Sequence, residues 1–474
     1  MRKSIAAILV VTMAFGLFSC QPKETKLYVA SINDMHANID NMPLLATVVD
    51  SLRTLYPDLL LFSAGDNRTG NPINDRTPQP ATPMAELMNA IGFDLSTFGN
   101  HEWDNGPQAL RDVINVSKFP YVCANVTFDD TLGIPYAPYK TYEINGLKIG
   151  VIGVIQIGEN GLPDFHPNKA AGSHFRPAAE VIPQYLSLRK ECNALFLLSH
   201  SGFEEDVELA NQFPEFDAIF GGHSHTLVDS TRLFNGVMVT QAMNKVNYLT
   251  LSTFTFDKEG NMIDKKSEVI PLKTVKTRQP EVQAMVDQYN SNTVFNEVVS
   301  YNDAAVDCRE CLGSLMTDAA LEMTGAEMAF QNYGGVRFDT LSARPITLRD
   351  VFSLDPFDNE LVLFNLTGQE LLDFLAVSKA TDYDANFCSG CTYSYKVDDE
   401  GNMTDCKVLL PNGKPIDLKK TYKVVMNSYM SSAFDFPHED PGTSAFCTSN
   451  EALVSYLKNH PHFDYSKTHR VVER

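Results

Sequence analysis

A layered α/β fold is predicted up to about residue 270, followed by a second domain. Three observations carry this reading. Short apolar runs alternate with amphipathic, helix-patterned segments over the first half, the order that builds sheets covered by helices. The 474 residues exceed one ordinary domain and suit two or three. The stretch Pro271–Pro280 is polar and proline-flanked, and it breaks the alternation as a linker does.

The elements follow in order. Arg2 and Lys3 precede an apolar run, Ile5 to Phe18, that is too short to span a bilayer comfortably. The run ends in Leu17-Phe18-Ser19-Cys20, which resembles a bacterial lipobox. Residues 1–19 are then a cleaved leader, Cys20 carries the lipid, and 20–25 form a tether. Strands are expected at Leu27–Ile32, Leu59–Ser63, Leu95–Phe98, Ile149–Ile155, Ala194–Ser199, Ala218–Phe220 and Val237–Gln241. Between two of them lies a helix with Thr82 as cap, Pro83 in its first turn and Gly92 at its end. The first domain covers 26–270. A connection over 271–298 includes a helix at Pro280–Asn296, and the second domain covers 299–474. Thr367 and Glu370 are spaced as a capping box opening a further helix. Asp257–Met262 and Asp398–Met403 are near-copies between strand-like runs, and read as two similar turns.

Composition narrows the function. With 38 basic against 59 acidic residues the net charge is −21, which opposes binding of a nucleic-acid polymer. A small anion held by metals and a few arginines stays open. Eight cysteines follow Cys20, two pairs of them spaced C-x-x-C: Cys308/Cys311 and Cys388/Cys391. The separation of the two pairs far exceeds that of a compact zinc ribbon, so disulfides are favoured over a four-thiolate zinc site. Their connectivity is open.

The chemistry-bearing residues stand just after the strands. They are Asp34-Met35-His36, Gly65-Asp66, the run Gly99 to Asp104, His200, and Gly221-Gly222-His223-Ser224-His225. Carboxyl ends of strands form the ligand crevice in layered α/β domains. The oxygen and imidazole donors, with no sulfur among them, suit Zn, Mn, Fe, Mg or Co. Asp34, His36, Asp66, Asn100, His200, His223 and His225 exceed the needs of one ordinary site. Two ions sharing a carboxylate would use all seven and would activate a water against a phosphate.

These clusters resemble the signature of calcineurin-like metallophosphoesterases, and the chain from Lys26 onward is similar to the 5′-nucleotidase family. The resemblance implies a four-layer α/β/β/α metallophosphoesterase domain followed by a smaller α/β nucleotide-binding domain. It implies one divalent metal on Asp34, His36, Asp66 and His225. A second would sit on Asp66, Asn100, His200 and His223, each ion being Zn, Mn, Co or Fe. His101 would act on the transferring phosphoryl group, oriented by Asp104. In the second domain Asn332 and Arg337 match the family's Asn-x-Gly-x-x-Arg loop, and Arg309 falls where a further phosphate-binding arginine is placed. Phe357 and Tyr429 would sandwich the base, Asn359 would bind it, and Asp435 would hold the ribose. Relatives carry a Gly-Gly pair before that aspartate, whereas this chain has Ala433-Phe434. The implied activity is hydrolysis of nucleoside 5′-monophosphates for nucleotide salvage outside the cytoplasm. The protein would be lipid-anchored to the outer membrane and face periplasm or cell surface. UDP-sugars, nucleoside di- or triphosphates and 2′,3′-cyclic nucleotides are the alternative substrates, and a silent nucleotide-binding lipoprotein is the non-enzymatic one.

Overall fold

The computed structural model describes residues 24–158, 160–381 and 384–474; the expected leader, Cys20 included, lies outside them. Among the described residues no helix is long and apolar enough to cross a membrane.

Two six-stranded sheets form the first half. One runs Met262–Pro271, Tyr248–Phe256, Thr25–Ile32, Leu60–Ser63, Leu95–Thr97, Tyr121–Val122. The other runs Arg232–Phe234, Val237–Thr240, Ala218–Phe220, Ala194–His200, Leu147–Ile155, Tyr139–Ile144. Their central strands pair in parallel. Strands buried on both faces read as continuous apolar runs rather than alternating ones. Side-chain alternation then sorts each run into layers. Val29 and Phe62 meet Val151, Phe196 and Phe220 between the sheets. Ile152, Leu197 and Ile219 face outward toward Leu209 and Ala210 of the helix Phe203–Gln212. On the far side Ala30 and Leu61 pack with Met42–Leu55 and Thr82–Ile91. The architecture is therefore helix, sheet, sheet, helix.

One local expectation changes. Thr82 does not cap its helix; Ala81 precedes it at φ 67° with no side-chain cap. The Met84 N–H donates instead to Asn74 Oδ1 at 2.9 Å. Gly92 ends the helix at φ 82°, where a side chain would be strained.

The second half holds a five-stranded sheet ordered Phe387–Ser389, Met328–Gln331, Thr421–Asn427, Glu360–Thr367, Thr443–Thr448, with two three-stranded sheets beside it. The Thr367 N–H donates to Glu370 Oε2 at 2.7 Å and the Glu370 N–H to Thr367 Oγ1 at 3.2 Å, a reciprocal cap on the helix Gly368–Thr381. The two similar turns are equivalent: Asn261 and Asn402 each donate a backbone N–H to the leading aspartate at 2.8 Å. Cys308 and Cys311 are disulfide-bonded, while Cys388 and Cys391 are free thiols.

The connection is docked rather than loose. Its helix, Pro280–Asn290, is shorter than the Asn296 end expected and continues as a 3-10 turn. Val282 and Val286 join the core of the first half. Across the cleft, Arg349 pairs with Asp40 at 2.7 Å and Arg76 pairs with Asp358.

Candidate active site

All five clusters come to one edge of the paired sheets, because parallel strands end together. Asp34, His36, Asp66, His223 and His225 all have φ between 45° and 79°. Left-handed backbone is uncommon outside glycine, and its concentration at one place marks a functional site. Gly99 shows why this loop tolerates no side chain there: a Cβ would run into the Asp66 carboxylate.

The donor atoms interlock. Asp34 Oδ1 stands 3.4 Å from His225 Nε2 and 3.9 Å from both His36 Nε2 and His200 Nε2. Asp66 Oδ2 stands 3.3 Å from His200 Nε2 and 4.0 Å from His36 Nε2. Asn100 Oδ1 lies 3.3 Å from His200 Nε2 and 3.1 Å from His223 Nδ1. Donors about 2.1 Å from one tetrahedral ion are about 3.4 Å apart, so the spacing fits metal ligation. Asp34 Oδ1 is buried and accepts no hydrogen bond, an orphan acceptor that a cation would satisfy. Burial opposes ionisation of Asp34, yet His225 and His200 hold it below the ordinary carboxylate range. His200 Nδ1 is 2.6 Å from the Ala64 carbonyl, which leaves Nε2 as the free donor atom.

His101 sits at the rim, its Nδ1 2.9 Å from Asp104 Oδ2 and its Nε2 3.8 Å from Asp66 Oδ2. Spacing alone also groups His101 with His36 and Asp66. Burial disfavours the imidazolium, but Asp104 and Asp66 outweigh it and raise the pKa. From the second half, Arg337 Nη2 reaches His36 Nε2 at 3.0 Å. The Phe357 ring lies over His101, with centroids 5.6 Å apart and planes 22° from parallel.

The remaining substrate candidates are not gathered in the same way. Arg309 is paired with Asp339 and lies over the Tyr333 ring at 4.3 Å. Asn332 is buried and accepts from Asn427 Nδ2 at 2.9 Å. Asn359 is buried and accepts from Ser428 Oγ at 3.4 Å. Tyr429 meets Phe434 edge-on at 6.0 Å, and Asp435 is exposed. Phe357 thus stands on the histidine and Tyr429 on Phe434. Phe434 itself is buried against Phe374, so it fills the core of its own domain rather than the cleft.

Residues 27–227 match the calcineurin-like phosphoesterase family, and residues 288–437 match the 5′-nucleotidase C-terminal domain. The chain belongs to the 5′-nucleotidase family. Its first half is therefore a calcineurin-like phosphoesterase domain. It is 27% identical over 471 residues to a trifunctional nucleotide phosphoesterase of Bacillus subtilis. That match takes in 86% of this chain but 32% of the relative, so the chain spans about a third of that protein. It is also 27% identical over 452 residues to the 5′-nucleotidase of Bos taurus, covering 82% of this chain and 77% of the other. A 5′-nucleotidase precursor from Thermus thermophilus shares the fold, with a TM-score of 0.85 at 23% identity over 95% of this chain and 99% of that one.

Three residues of this 5′-nucleotidase-family site had no role in the sequence reading. Glu102 accepts backbone N–H bonds from Gly99, Asp66 and Asn67 at 2.6, 3.0 and 3.0 Å, tying two ligand loops together. Burial and the Asp66 carboxylate push its pKa up to about 7. Thr69, buried with φ 69°, donates its hydroxyl to Asp104 Oδ2 at 2.6 Å, and its carbonyl lies 3.2 Å from His36 Nδ1. Positive φ is a genuine outlier for a β-branched residue. Asp164 reaches the site from the loop after the strand Leu147–Ile155. Glu102 was within reach of sequence reasoning through its place in the Gly99–Asp104 run. Thr69 and Asp164 carried no such signal.

Proposed function

We propose that the protein is a 5′-nucleotidase that releases phosphate from nucleoside 5′-monophosphates outside the cytoplasm, held to a membrane by lipid at Cys20. The observation that carries this reading is Asp66 lying between two sets of donors, beside His101, with Arg337 and Phe357 reaching in from the other half. Asp34, His36, Asp66 and His225 would hold one divalent metal; Asp66, Asn100, His200 and His223 would hold the other. Two such ions, Zn, Mn, Co or Fe, would polarise a phosphate and supply a hydroxide near neutral pH.

The protein's own groups do the rest. His101, kept toward its protonated form by Asp104, stabilises charge on the phosphoryl group and can deliver a proton to the departing ribose oxygen. Arg337 is placed to grip phosphate with a bidentate fork. Phe357 offers a ring face to a base, which any nucleobase can use. Phe434, buried against Phe374, is no obstacle to a nucleoside monophosphate in the cleft.

The test is phosphate release by residues 21–474, stripped with EDTA and resupplied with Mn, Zn or Co, on AMP, 2′,3′-cyclic AMP, UDP-glucose and ATP. Metal-restored turnover highest on AMP is expected. Turnover confined to another of the four would overturn the substrate, and silence in protein holding two metals would overturn the activity.

A further inference from the structure

We propose that Asp164 is a positioning residue that aims Asn100 and His223 together at one metal. The inference rests on the ligand set proposed above. Asp164 belongs to the loop after the strand Leu147–Ile155. Its main-chain carbonyl accepts Asn100 Nδ2 at 2.8 Å. An asparagine amide can turn either end toward a metal, and only its oxygen ligates a cation. With the nitrogen engaged outside, Oδ1 is turned toward His200 Nε2 and His223 Nδ1.

The same residue holds the second ligand by its side chain. Asp164 Oδ2 stands 3.4 Å from His223 Nε2, the ring nitrogen facing away from the donor cluster. A carboxylate there favours a proton on Nε2 and so leaves the Nδ1 lone pair for a metal. One residue therefore selects the amide orientation of Asn100 and the tautomer of His223.

Asp164 is itself anchored. Its N–H donates to Gln156 Oε1 at 3.1 Å, and Gln156 Nε2 donates to Asp164 Oδ1 at 3.2 Å. The Gln156 N–H in turn donates to the carbonyl of His200 at 2.9 Å. The loop is thus pinned to a third ligand of the same metal. The Asp164 side chain is 37% exposed, so its pairing with His223 adds little to stability. Its effect belongs in ligand geometry.

The experiment is titration of metal-free residues 21–474 with Co(II), followed by its visible absorption and by competition with a chelator. Wild type, Asp164→Ala, Asp164→Asn and His223→Ala are compared. Asp164→Ala is expected to bind the first equivalent normally and the second roughly 10–100-fold more weakly. Asp164→Asn, whose amide oxygen still accepts from the ring, is expected within about threefold of wild type. Normal binding of both equivalents by Asp164→Ala, beside a lost second equivalent in His223→Ala, overturns the positioning role alone. Equal weakening of both equivalents in both Asp164 variants, with a lowered melting temperature, also overturns it, because that is loop stability. Retention of both metals by His223→Ala overturns the ligand set and this inference with it.

Discussion

The two walls of the cleft are built by opposite means. On the metal wall every donor is braced by a neighbouring loop: Glu102 ties the Asp66 and Gly99 loops, Thr69 ties His36 to Asp104, and Ala64 fixes His200. On the nucleotide wall the candidates are engaged with their own domain, Arg309 with Asp339 and Tyr429 with Phe434. Arg337 and Phe357 reach across, to His36 and His101. The metal wall is a preorganised electrostatic site, which carries its strain in the backbone before substrate arrives. To grip a base as proposed, the nucleotide wall would have to re-pair its side chains or move as a body, as hinged enzymes do.

The largest expected effects lie on the metal wall and separate its two parts. Asp66→Asn removes the shared carboxylate, and turnover should fall by roughly 10³ or more with loss of bound metal. His101→Ala should cost about 10²–10⁴ in turnover while metal content stays. Metal analysis beside phosphate release reads both. If His101→Ala sheds metal as Asp66→Asn does, His101 is a ligand, and the division between cradle and rim collapses.

On the other wall the effect should be smaller and of a different kind. Phe357→Ala is expected to raise KM for AMP about 10-fold, with kcat within a few-fold, because one stacked base contributes roughly 1–3 kcal/mol. Ribose 5-phosphate, which has no base, should be insensitive. A fall in kcat on both substrates would show instead that Phe357 matters by packing on His101.

What the sequence made legible follows the same line. The strands were legible because buried parallel strands such as Ile149–Ile155 are unbroken apolar runs. The seven candidate donors were visible because their types suit metals and each stands at or just after the end of a strand. Thr69 and Asp164 were not, since a threonine or aspartate in a loop is ordinary and its role depends on where the loop returns. The cap at Thr82 failed for a related reason: Asn74, on a separate turn, takes the donor that Thr82 was expected to serve. Equal C-x-x-C spacing also hid a difference. Cys308 caps the helix Arg309–Thr324, whereas Cys388 and Cys391 flank a turn between strands.

The smallest expected effect on catalysis comes from a knot inside the second half, which tests whether that half is held together independently of the cleft. Arg470 meets Asp318 with a two-pronged contact, Nη1 to Oδ1 and Nη2 to Oδ2, both at 2.8 Å. Tyr465 and Ser389 each donate to the same carboxylate at 2.6 Å. Burial would raise the pKa of Asp318, but Arg470, Ser389 and Tyr465 hold it below 3.8. A carboxylate depressed in the folded state stabilises the protein above its unfolded pKa, and that stability is lost as pH falls through the folded value. Arg470→Met should therefore cost about 1–2 kcal/mol at pH 7, a partly buried pair being worth more than a surface one. Urea unfolding should show the gap between wild type and variant narrowing below about pH 4, where Asp318 takes up its proton. KM and kcat for AMP should stay within about twofold. If Arg470→Met instead raises KM as far as Phe357→Ala does, the nucleotide wall depends on this distant knot, and the two walls are less different in construction than their contacts imply.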